Sequence, residues 1–291
     1  MIMVTGANGH LGQAVVEALA YRIPREDIIA ASRKPESLRV RDGIATRRAD
    51  FSDPAGLAEA FANLDRIEII SVDKLGEEAR NLHRSAIDAA RAAGVARIFY
   101  TSHAGAREGS PFAPADQHAA TEADLAATGT AFTALRHGFY AESCLHMIGS
   151  DLKTGELRVP EDGPVSWTAR ADLAEADAAL LAGEATFDGA TPPLTAAEAL
   201  TMADIAELAS QVTGREVRHT VVSDDEWKAA KIAAGVPELY AEMLLGTFRA
   251  ARRGDFDLVD PALDKLLGRP PRSMRDILAA ELSPATQSDH A

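Results

Sequence analysis

Three glycines near the start of the chain have the spacing of a phosphate-binding turn. The sequence opens MIMVTGANGHLG, with Gly6, Gly9 and Gly12 directly after a short apolar run. The first glycine permits a sharp turn out of a strand, the second lets the backbone approach an anion, and the third lets a helix pack closely. Free N–H groups at the start of that helix attract phosphate, so the pattern predicts a dinucleotide site. The turn residues expected to contact the cofactor are Gly6, Asn8, Gly9, His10, Leu11 and Gly12.

The residues around this turn form the elements that it needs. Residues 1–4 are typical of a buried strand, and Leu11, Val15 and Leu19 recur at helical spacing. Further strand-like runs lie at 28–32, 44–48, 67–71, 97–101 and 131–135, and helical patterns lie near 11–21, 54–63, 77–93 and 116–127. This alternation predicts an α/β fold, a Rossmann-type doubly wound parallel sheet with helices on both faces.

The pattern changes after about residue 150 of the sequence. Short strand candidates at 157–159, 165–168 and 216–222 mix with helical patterns at 170–182, 201–213, 224–234 and 237–252. We therefore expect a dinucleotide-binding domain over residues 1–150 and a smaller C-terminal α+β substrate-binding lobe over 151–282, with elements that return to the Rossmann sheet. Residues 283–291, within the tail SPATQSDHA, are expected to be disordered.

Composition narrows the classes of partner. A formal net charge of −14 argues against nucleic acid or an anionic membrane as a partner, because the field repels phosphate. No apolar stretch is long enough to cross a bilayer. The single cysteine, Cys144, excludes an intramolecular disulfide and a cysteine-built metal site, and we expect no metal. It lies beside Leu145 and Met147, which indicates a packed thiol. One cysteine, and a strand that begins at residue 1 with no secretion signal before it, agree with a cytoplasmic location.

Several stretches together resemble one protein family. They run in order from residue 1 to about residue 278 and include TGANGHLG, IIAASRKPESL, RRADFSDPAGLAEAF, AARAAGVARIFYTS, DQHAATEADL, LRHGFYAES, TARADLAEADAALL, LTMADIAELASQVTGREV and DKLLGRPPRSMRDIL. The chain resembles the NmrA-like branch of the atypical short-chain dehydrogenases/reductases, particularly its quinone oxidoreductase type 2 and triphenylmethane reductase groups. The resemblance implies a reductase that uses NAD(P)H.

The residues after the second strand bear on the choice of dinucleotide. A carboxylate at this point favours NAD, whereas a cation pairs with the 2′-phosphate of NADP. The chain has Arg33 and Lys34 there, so NADP(H) is favoured, although sites of this type also accept NAD(H) and both cations could be solvated. Asp50 could equally cap the next helix, and Lys74 could equally face water. Position and resemblance assign further cofactor contacts to Asp50, Phe51, Ser71, Val72, Lys74, Thr101, Ser102, His137, Gly138 and Phe139.

The Tyr-x-x-x-Lys pair of conventional short-chain dehydrogenases is missing. Aligned to that motif, His118 stands at the lysine position and Pro114 at the tyrosine position. Hydride delivery to a simple ketone creates a strongly basic alkoxide that needs an acid. Hydride delivery to a quinone creates a stabilised anion that a weak donor can protonate. The departure from the motif therefore favours a quinone or related conjugated aromatic acceptor.

The acceptor side of the site has few candidates. His118 could donate a proton, since a histidine titrates near neutrality, or it could orient the nicotinamide ribose or be an ordinary surface histidine. Tyr140 is the second catalytic candidate and, with Phe112 and Trp167, could form a stacking surface for a planar substrate. Phe112 could equally be a loop anchor, and a buried Trp167 is the more common interpretation.

Three functions are compatible with these residues. The first is an NAD(P)H-dependent oxidoreductase that reduces a small aromatic or quinone substrate. The second is a version of that enzyme acting on a polycyclic aromatic intermediate of natural-product biosynthesis. The third is a non-catalytic NAD(P)-sensing regulator of the NmrA type, which the missing motif supports equally well. The sequence leaves the oligomeric state open, a homo-oligomer included.

Overall fold

A computed structural model describes residues 1–149 and 151–282 of the chain. Its main feature is a seven-stranded parallel sheet, formed by β1 (Ile2–Val4), β2 (Ile28–Ser32), β3 (Ala45–Arg48), β4 (Arg66–Ile69), β5 (Arg97–His103), β6 (Phe132–His137) and β8 (Gly189–Ala190). The strands lie in the order β3-β2-β1-β4-β5-β6-β8. The order reverses between β1 and β4, the type of switch point where open α/β sheets bind ligands. The predicted Rossmann-type fold is confirmed.

The helices that flank this sheet follow the strands as predicted. They are α1 (His10–Leu19), α2 (Pro54–Ala60), α3 (Gly76–Ala92), α4 (Ala113–Ala127) and α7 (Arg170–Ala182). One core cluster packs Ile67 and Ile69 of β4 against Leu57, Phe61 and Ile87 from the α2–α3 side, and all five side chains are buried. Alternation of side chains along a strand sends the intervening residue, Glu68, to the other face. The sheet is therefore apolar on one face and carries a buried carboxyl group on the other.

The remaining elements form a second group with its own small sheet. Strands β7 (Glu156–Pro160) and β9 (Arg218–Val222) pair in parallel. The helices are α5 (Ala141–Ile148), α6 (Asp151–Thr154), α8 (Met202–Thr213), α9 (Asp224–Ala233), α10 (Glu238–Arg252), α11 (Ala262–Leu267) and α12 (Met274–Leu282). The strand predicted at 165–168 is wrong, because Val165 and Thr168 make only isolated bridges, to Leu200 and Tyr140 respectively.

The chain divides into two compact units, and each unit is built from several separate segments of the sequence. The first unit comprises Met1–Glu108, Pro114–His137 and Ala171–Leu194. The second comprises Gly109–Ala113, Gly138–Arg170 and the described chain from Thr195 onward. A boundary at residue 150 therefore lies inside the second unit, since the chain leaves the first at the end of β6 and returns to it at α7. The predicted disordered tail, 283–291, lies outside the described residues.

One sequence expectation about membranes is testable within these ranges. No helix of residues 1–149 or 151–282 is both long and apolar enough to cross a membrane.

Candidate active site

The opening turn has the geometry that its three glycines predict. Gly6 has φ +60°, a left-handed conformation that costs a side chain about 1–2 kcal/mol. A Cβ on Gly12 would lie 2.5 Å from the Gly6 carbonyl oxygen, so the start of α1 touches the turn backbone to backbone. A Cβ on Gly9 would lie 3.3 Å from the same oxygen. The turn is therefore compact because these positions lack side chains.

The N-terminus of α1 is available for an anion. Gly9 occupies the N-cap position with extended backbone and no side-chain cap, and the first turn contains no acidic residue. The first N–H groups of a helix have no acceptor within it, so the amides near His10 and Leu11 carry partial positive charge. His10 is exposed, whereas Leu11 and Gly12 are buried. The arrangement fits the diphosphate of a dinucleotide.

A cleft of about 510 Å³ lies at the carboxyl ends of β1 to β4. Predicted cofactor residues that line it are Gly6, Asn8, Gly9, Arg33, Asp50, Phe51, Ser71, Val72 and Lys74. Lining residues that sequence reasoning missed are Ser32, Ala49, Ser52, Ile70, Asp73, Glu78 and Leu82. All but Glu78 and Leu82 are next to a predicted residue in the sequence, so a prediction that included the immediate neighbours of those residues would have contained them. The two exceptions belong to α3, whose approach to the cleft has no local signal.

The two cations after β2 have different surroundings. Arg33 lines the cleft and is exposed, and its charge helps to lower the pKa of Asp50. Lys34 is not among the lining residues, and its backbone N–H donates to Ser32 Oγ over 3.1 Å. Arg33 is therefore the cation of this pair that is placed to meet a phosphate in the cleft.

Asp50 has a local structural role that the sequence left open. Its Oδ1 accepts hydrogen bonds from the Ser52 hydroxyl at 2.6 Å and the Ser52 N–H at 3.1 Å, and Arg48 donates to its Oδ2. The bonds from Ser52, followed by the charge of Arg48, hold the pKa of this carboxyl below its usual value. The alternative in which Asp50 caps α2 is wrong, because Asp53 accepts from the Gly56 N–H at that position. Asp50 is therefore an ionised side chain that lines the cleft.

The segment after β4 is held by hydrogen bonds from neighbouring strands. The Ser71 N–H donates to Thr101 Oγ1 over 2.8 Å, and Thr101 is buried. Lys74 lines the cleft and pairs with Glu78 at 3.2 Å, and its predicted contact with the phosphates remains a prediction. Ser102, the other predicted residue at the end of β5, donates to Glu122 at 2.6 Å and is not among the residues that line the cleft.

His137 ends β6 in a buried polar cluster. Its Nε2 lies 2.9 Å from Asp177 Oδ1, and both side chains are at most 1% exposed. Glu68 is also fully buried, and burial, followed by the nearby Asp177 charge, raises the pKa of Glu68 well above its usual value. Neither carboxyl oxygen of Glu68 has a hydrogen-bond partner among the described residues, so its burial favours the protonated form of this side chain. His137 is held by Asp177, and its predicted contact with a cofactor remains a prediction.

His118 lies on α4 and is partly buried. The Tyr100 hydroxyl lies 2.8 Å from its Nδ1, and the His103 ring is stacked with a centroid distance of 6.3 Å. Burial, followed by the neighbouring histidines, lowers the pKa of His118 well below its usual value. An imidazolium at neutral pH is therefore excluded, which corrects the expectation of a pKa near neutrality. His118 is a neutral imidazole and acts as a hydrogen-bonding group rather than a strong acid.

The second unit contains the predicted aromatic candidates. Phe112 is 6% exposed and packs against Phe139 and Phe256 at centroid distances of 5.2 and 5.7 Å. Trp167 is 2% exposed and packs edge-on against Phe139 at 5.1 Å. These positions favour the packing alternatives for Phe112 and Trp167 over an open stacking surface. Trp167 Nε1 is buried with no hydrogen-bond partner among the described residues.

The remaining predicted aromatic residue is Tyr140, which follows Gly138 and Phe139 in the sequence. Tyr140 precedes α5 and is partly exposed, with the Arg170 guanidinium carbon 5.0 Å from its ring centroid. One ring face is therefore covered by a cation. Gly138 is buried, and Phe139 is partly buried. Of the three aromatic residues predicted for the substrate, Tyr140 is more accessible than the buried Phe112 and Trp167, which suits a role at a planar substrate.

Two negative expectations concern metals and thiols. Within the described ranges no group of three or more His, Cys, Asp or Glu side chains is arranged to hold a metal ion. Cys144 is fully buried, and burial raises the pKa of its thiol. The prediction of a packed thiol is confirmed.

Comparison with known proteins agrees with the fold and the turn. The profile of the NmrA-like family matches residues 1–272. Quinone oxidoreductase 2 of Escherichia coli is 34% identical over 281 residues, which is 95% of this chain and 96% of that protein. The solved structure of the NADPH-dependent quinone oxidoreductase of E. coli in complex with NADPH has a TM-score of 0.90 at 33% identity. It covers 97% of this chain and 100% of that one.

A second solved structure extends the comparison to another substrate class. Citrobacter triphenylmethane reductase in complex with NADP(H) has a TM-score of 0.88 at 30% identity, covering 97% of this chain and 100% of that one. The match of the family profile and the identity to quinone oxidoreductase 2 both extend over more than nine tenths of the chain. This chain belongs to the NmrA-like family.

Proposed function

We propose that this chain, an oxidoreductase, transfers hydride from NADPH to a quinone or a related conjugated aromatic acceptor. The observation that carries the proposal is the combination of a glycine cradle with a neutral imidazole in place of a tyrosine–lysine acid. The similarity to quinone oxidoreductase 2 and triphenylmethane reductase supports it.

The preference for NADPH over NADH rests on the cleft. Arg33 lies where an adenosine ribose is bound in Rossmann proteins, and a guanidinium pairs well with a phosphate. The N-terminus of α1 and the compact turn at Gly6 and Gly12 provide the N–H groups for the diphosphate. When bound, NADPH supplies the hydride. The residues of the chain bind it, orient it and exclude water around it.

The acceptor class follows from the acid that the site lacks. Pro114 has no proton to give, and His118 is neutral, so an alkoxide of an aliphatic ketone would find no strong donor in these residues. A quinone oxygen needs only a hydrogen bond while charge develops on it. Tyr140 is proposed to pack against the planar acceptor, since it keeps accessible surface.

Turnover with acceptors of different class tests the proposal. The purified protein is mixed with NADPH and with a simple benzoquinone, a polycyclic quinone or an aliphatic ketone, and the loss of NADPH absorbance is followed. We expect oxidation with quinones and none with the ketone, and the ratio between the two quinones reports whether a polycyclic intermediate is the better substrate. Tight binding of NADPH without turnover of any acceptor would contradict the proposal and indicate a sensor. Tyr140→Leu should raise KM for the quinone but leave the dissociation constant of NADPH unchanged.

A further inference from the structure

A chain of hydrogen bonds in the first unit leads from the cleft to His118. The backbone N–H of Val72, which lines the cleft, donates to His83 Nε2 over 3.0 Å. His83 Nδ1 lies 3.2 Å from Thr121 Oγ1 and 3.4 Å from the Tyr100 hydroxyl. That hydroxyl lies 2.8 Å from His118 Nδ1. Each link has one direction of donation that is consistent with the others.

The first link determines the tautomer of His83. A backbone N–H can only donate, so His83 Nε2 must accept and carries no proton. Burial lowers the pKa of His83 to about 4, so the ring is neutral and its proton is on Nδ1. Thr121 Oγ1 donates its own proton to the Gln117 carbonyl oxygen over 3.0 Å and therefore accepts from His83. His83 is a donor toward both hydroxyl groups.

The tautomer of His118 follows from that of His83. Because His83 Nδ1 carries a proton, the Tyr100 hydroxyl cannot donate to it. Of the two ring nitrogens beside the hydroxyl, His118 Nδ1, at the shorter distance of 2.8 Å, is therefore the one that can accept its proton. A neutral His118 that accepts at Nδ1 carries its proton on Nε2. The two nitrogens of an imidazole point to different sides of the ring, so Nε2 is directed away from the Tyr100 hydroxyl bonded to Nδ1.

We infer that Tyr100 and His83 are positioning residues that hold His118 as a neutral Nε2–H donor to the acceptor oxygen on which negative charge develops. The inference rests on the proposed function and adds two residues to it. A neutral imidazole is too weak an acid to give its proton to a phenolate-like oxygen. His118 therefore keeps its proton and stabilises the charge by a preorganised hydrogen bond, while water protonates the reduced acceptor.

The surroundings of His118 keep it neutral across the working pH range. The titratable groups that face it are Tyr100 and His103 from β5, His83 from α3 and His137 from β6. Burial is the first cause that lowers the pKa of His118, and the three histidines lower it further. The rate of the chemical step should therefore be independent of pH through the range where an exposed histidine titrates, about pH 6 to 8.

The tautomer can be measured without turnover. Two-bond proton–nitrogen correlation spectra of the ¹⁵N-labelled protein distinguish Nδ1–H, Nε2–H and imidazolium forms, and the signals of His118 are those that disappear in His118→Gln. We expect the Nε2–H form at neutral pH in the wild-type protein. In Tyr100→Phe we expect a mixture of both neutral tautomers. Thr133→Val is the matched control, because it removes a buried hydroxyl that donates to the Phe187 carbonyl oxygen and leaves the network of His83, Tyr100 and His118 unchanged.

Kinetics provide a second readout. Tyr100→Phe should lower kcat with quinone about tenfold, less than the ~100-fold or greater loss on removing an oxyanion donor outright, and leave KM for NADPH unchanged. Thr133→Val should change neither constant. A wild-type His118 in the Nδ1–H or imidazolium form would overturn the inference, as would an unchanged tautomer in Tyr100→Phe or a kcat that falls with a pKa near that of free histidine. Failure of wild-type turnover would instead refute the proposed function, while the spectra would still decide the tautomer.

Discussion

Gly12→Ala adds one carbon atom at the tightest contact of the opening turn. The new Cβ would lie 2.5 Å from the carbonyl oxygen of Gly6 and 2.8 Å from its carbonyl carbon. Both atoms belong to the backbone and cannot rotate aside as a flexible side chain can. Either α1 or the turn must move, and both provide N–H groups for the diphosphate. The substitution should therefore weaken cofactor binding.

The size of the effect follows from two opposing terms. Overpacking against a fixed neighbour costs about 1–3 kcal/mol. Alanine is a better helix former than glycine by about 1 kcal/mol, which offsets part of this cost. Because the atoms in the way belong to the backbone, the cost lies toward the upper end, and a net cost of up to about 2 kcal/mol corresponds to a factor of up to about 30 in an equilibrium constant. If binding NADPH requires the turn to return to its native position, the dissociation constant should rise by that factor.

Titration calorimetry with NADPH, combined with urea unfolding of the free protein, measures both quantities. Gly246→Ala is the matched control, because a Cβ on this helical glycine of the second unit would lie 2.3 Å from the Pro111 carbonyl oxygen. The control should lower the free energy of unfolding while leaving the dissociation constant unchanged. Wild-type affinity in Gly12→Ala would refute the reasoning. An equal loss of affinity in both variants would show that general destabilisation, not the turn, is responsible.

Three further predictions follow from single side chains. Arg33→Gln should weaken NADPH binding by about 10- to 150-fold, the equivalent of a charge-assisted hydrogen bond of about 1.5–3 kcal/mol. Calorimetry should show an unchanged dissociation constant for NADH, and Lys34→Gln is the control. An equal loss of affinity for both dinucleotides would contradict the assignment. The pKa of Glu68 in the folded protein lies above its unfolded value of 4.5, so the folded state holds a proton that the unfolded chain releases, and stability falls as pH rises. Glu68→Gln should therefore flatten the free energy of unfolding between about pH 5 and 8, and an unchanged slope would show that Glu68 is ionised. Cys144 should resist alkylation at mildly alkaline pH in the folded protein and react in urea, because burial raises the pKa of its thiol; rapid native labelling would contradict this.

Local sequence was sufficient for the sheet and the opening turn. The alternation of apolar runs with helical patterns predicts β1 to β6 and their helices, since burial of both sheet faces leaves a signal within each segment. The glycine spacing predicts the geometry at Gly6 and Gly12 because steric limits act within a few residues. Arg33 was found for the same reason, as its distance from the end of β2 is a matter of chain connectivity.

Packing corrected several local interpretations. The strand expected at 165–168 lacks a continuous partner, and strand pairing depends on residues far away in sequence. The sequence could not predict how exposed Phe112 and Trp167 are, since an aromatic side chain has the same local pattern in a core as at a substrate. Asp50 and Asp53 are both close enough in sequence to cap α2, and only the course of the backbone shows that Asp53 does so.

The amino-acid sequence by itself determined the fold class, the phosphate turn and the absence of a tyrosine–lysine acid, all of which are encoded by neighbouring residues. Only the tertiary structure decided the surroundings of His118, the residue at the lysine position of that motif. The Tyr100 hydroxyl meets His118 from β5, and burial lowers the pKa of His118. Burial, followed by the charge of Asp177 on α7, raises the pKa of Glu68. Burial and the direction of a hydrogen bond depend on which distant groups come together, and no single stretch of the chain contains that information.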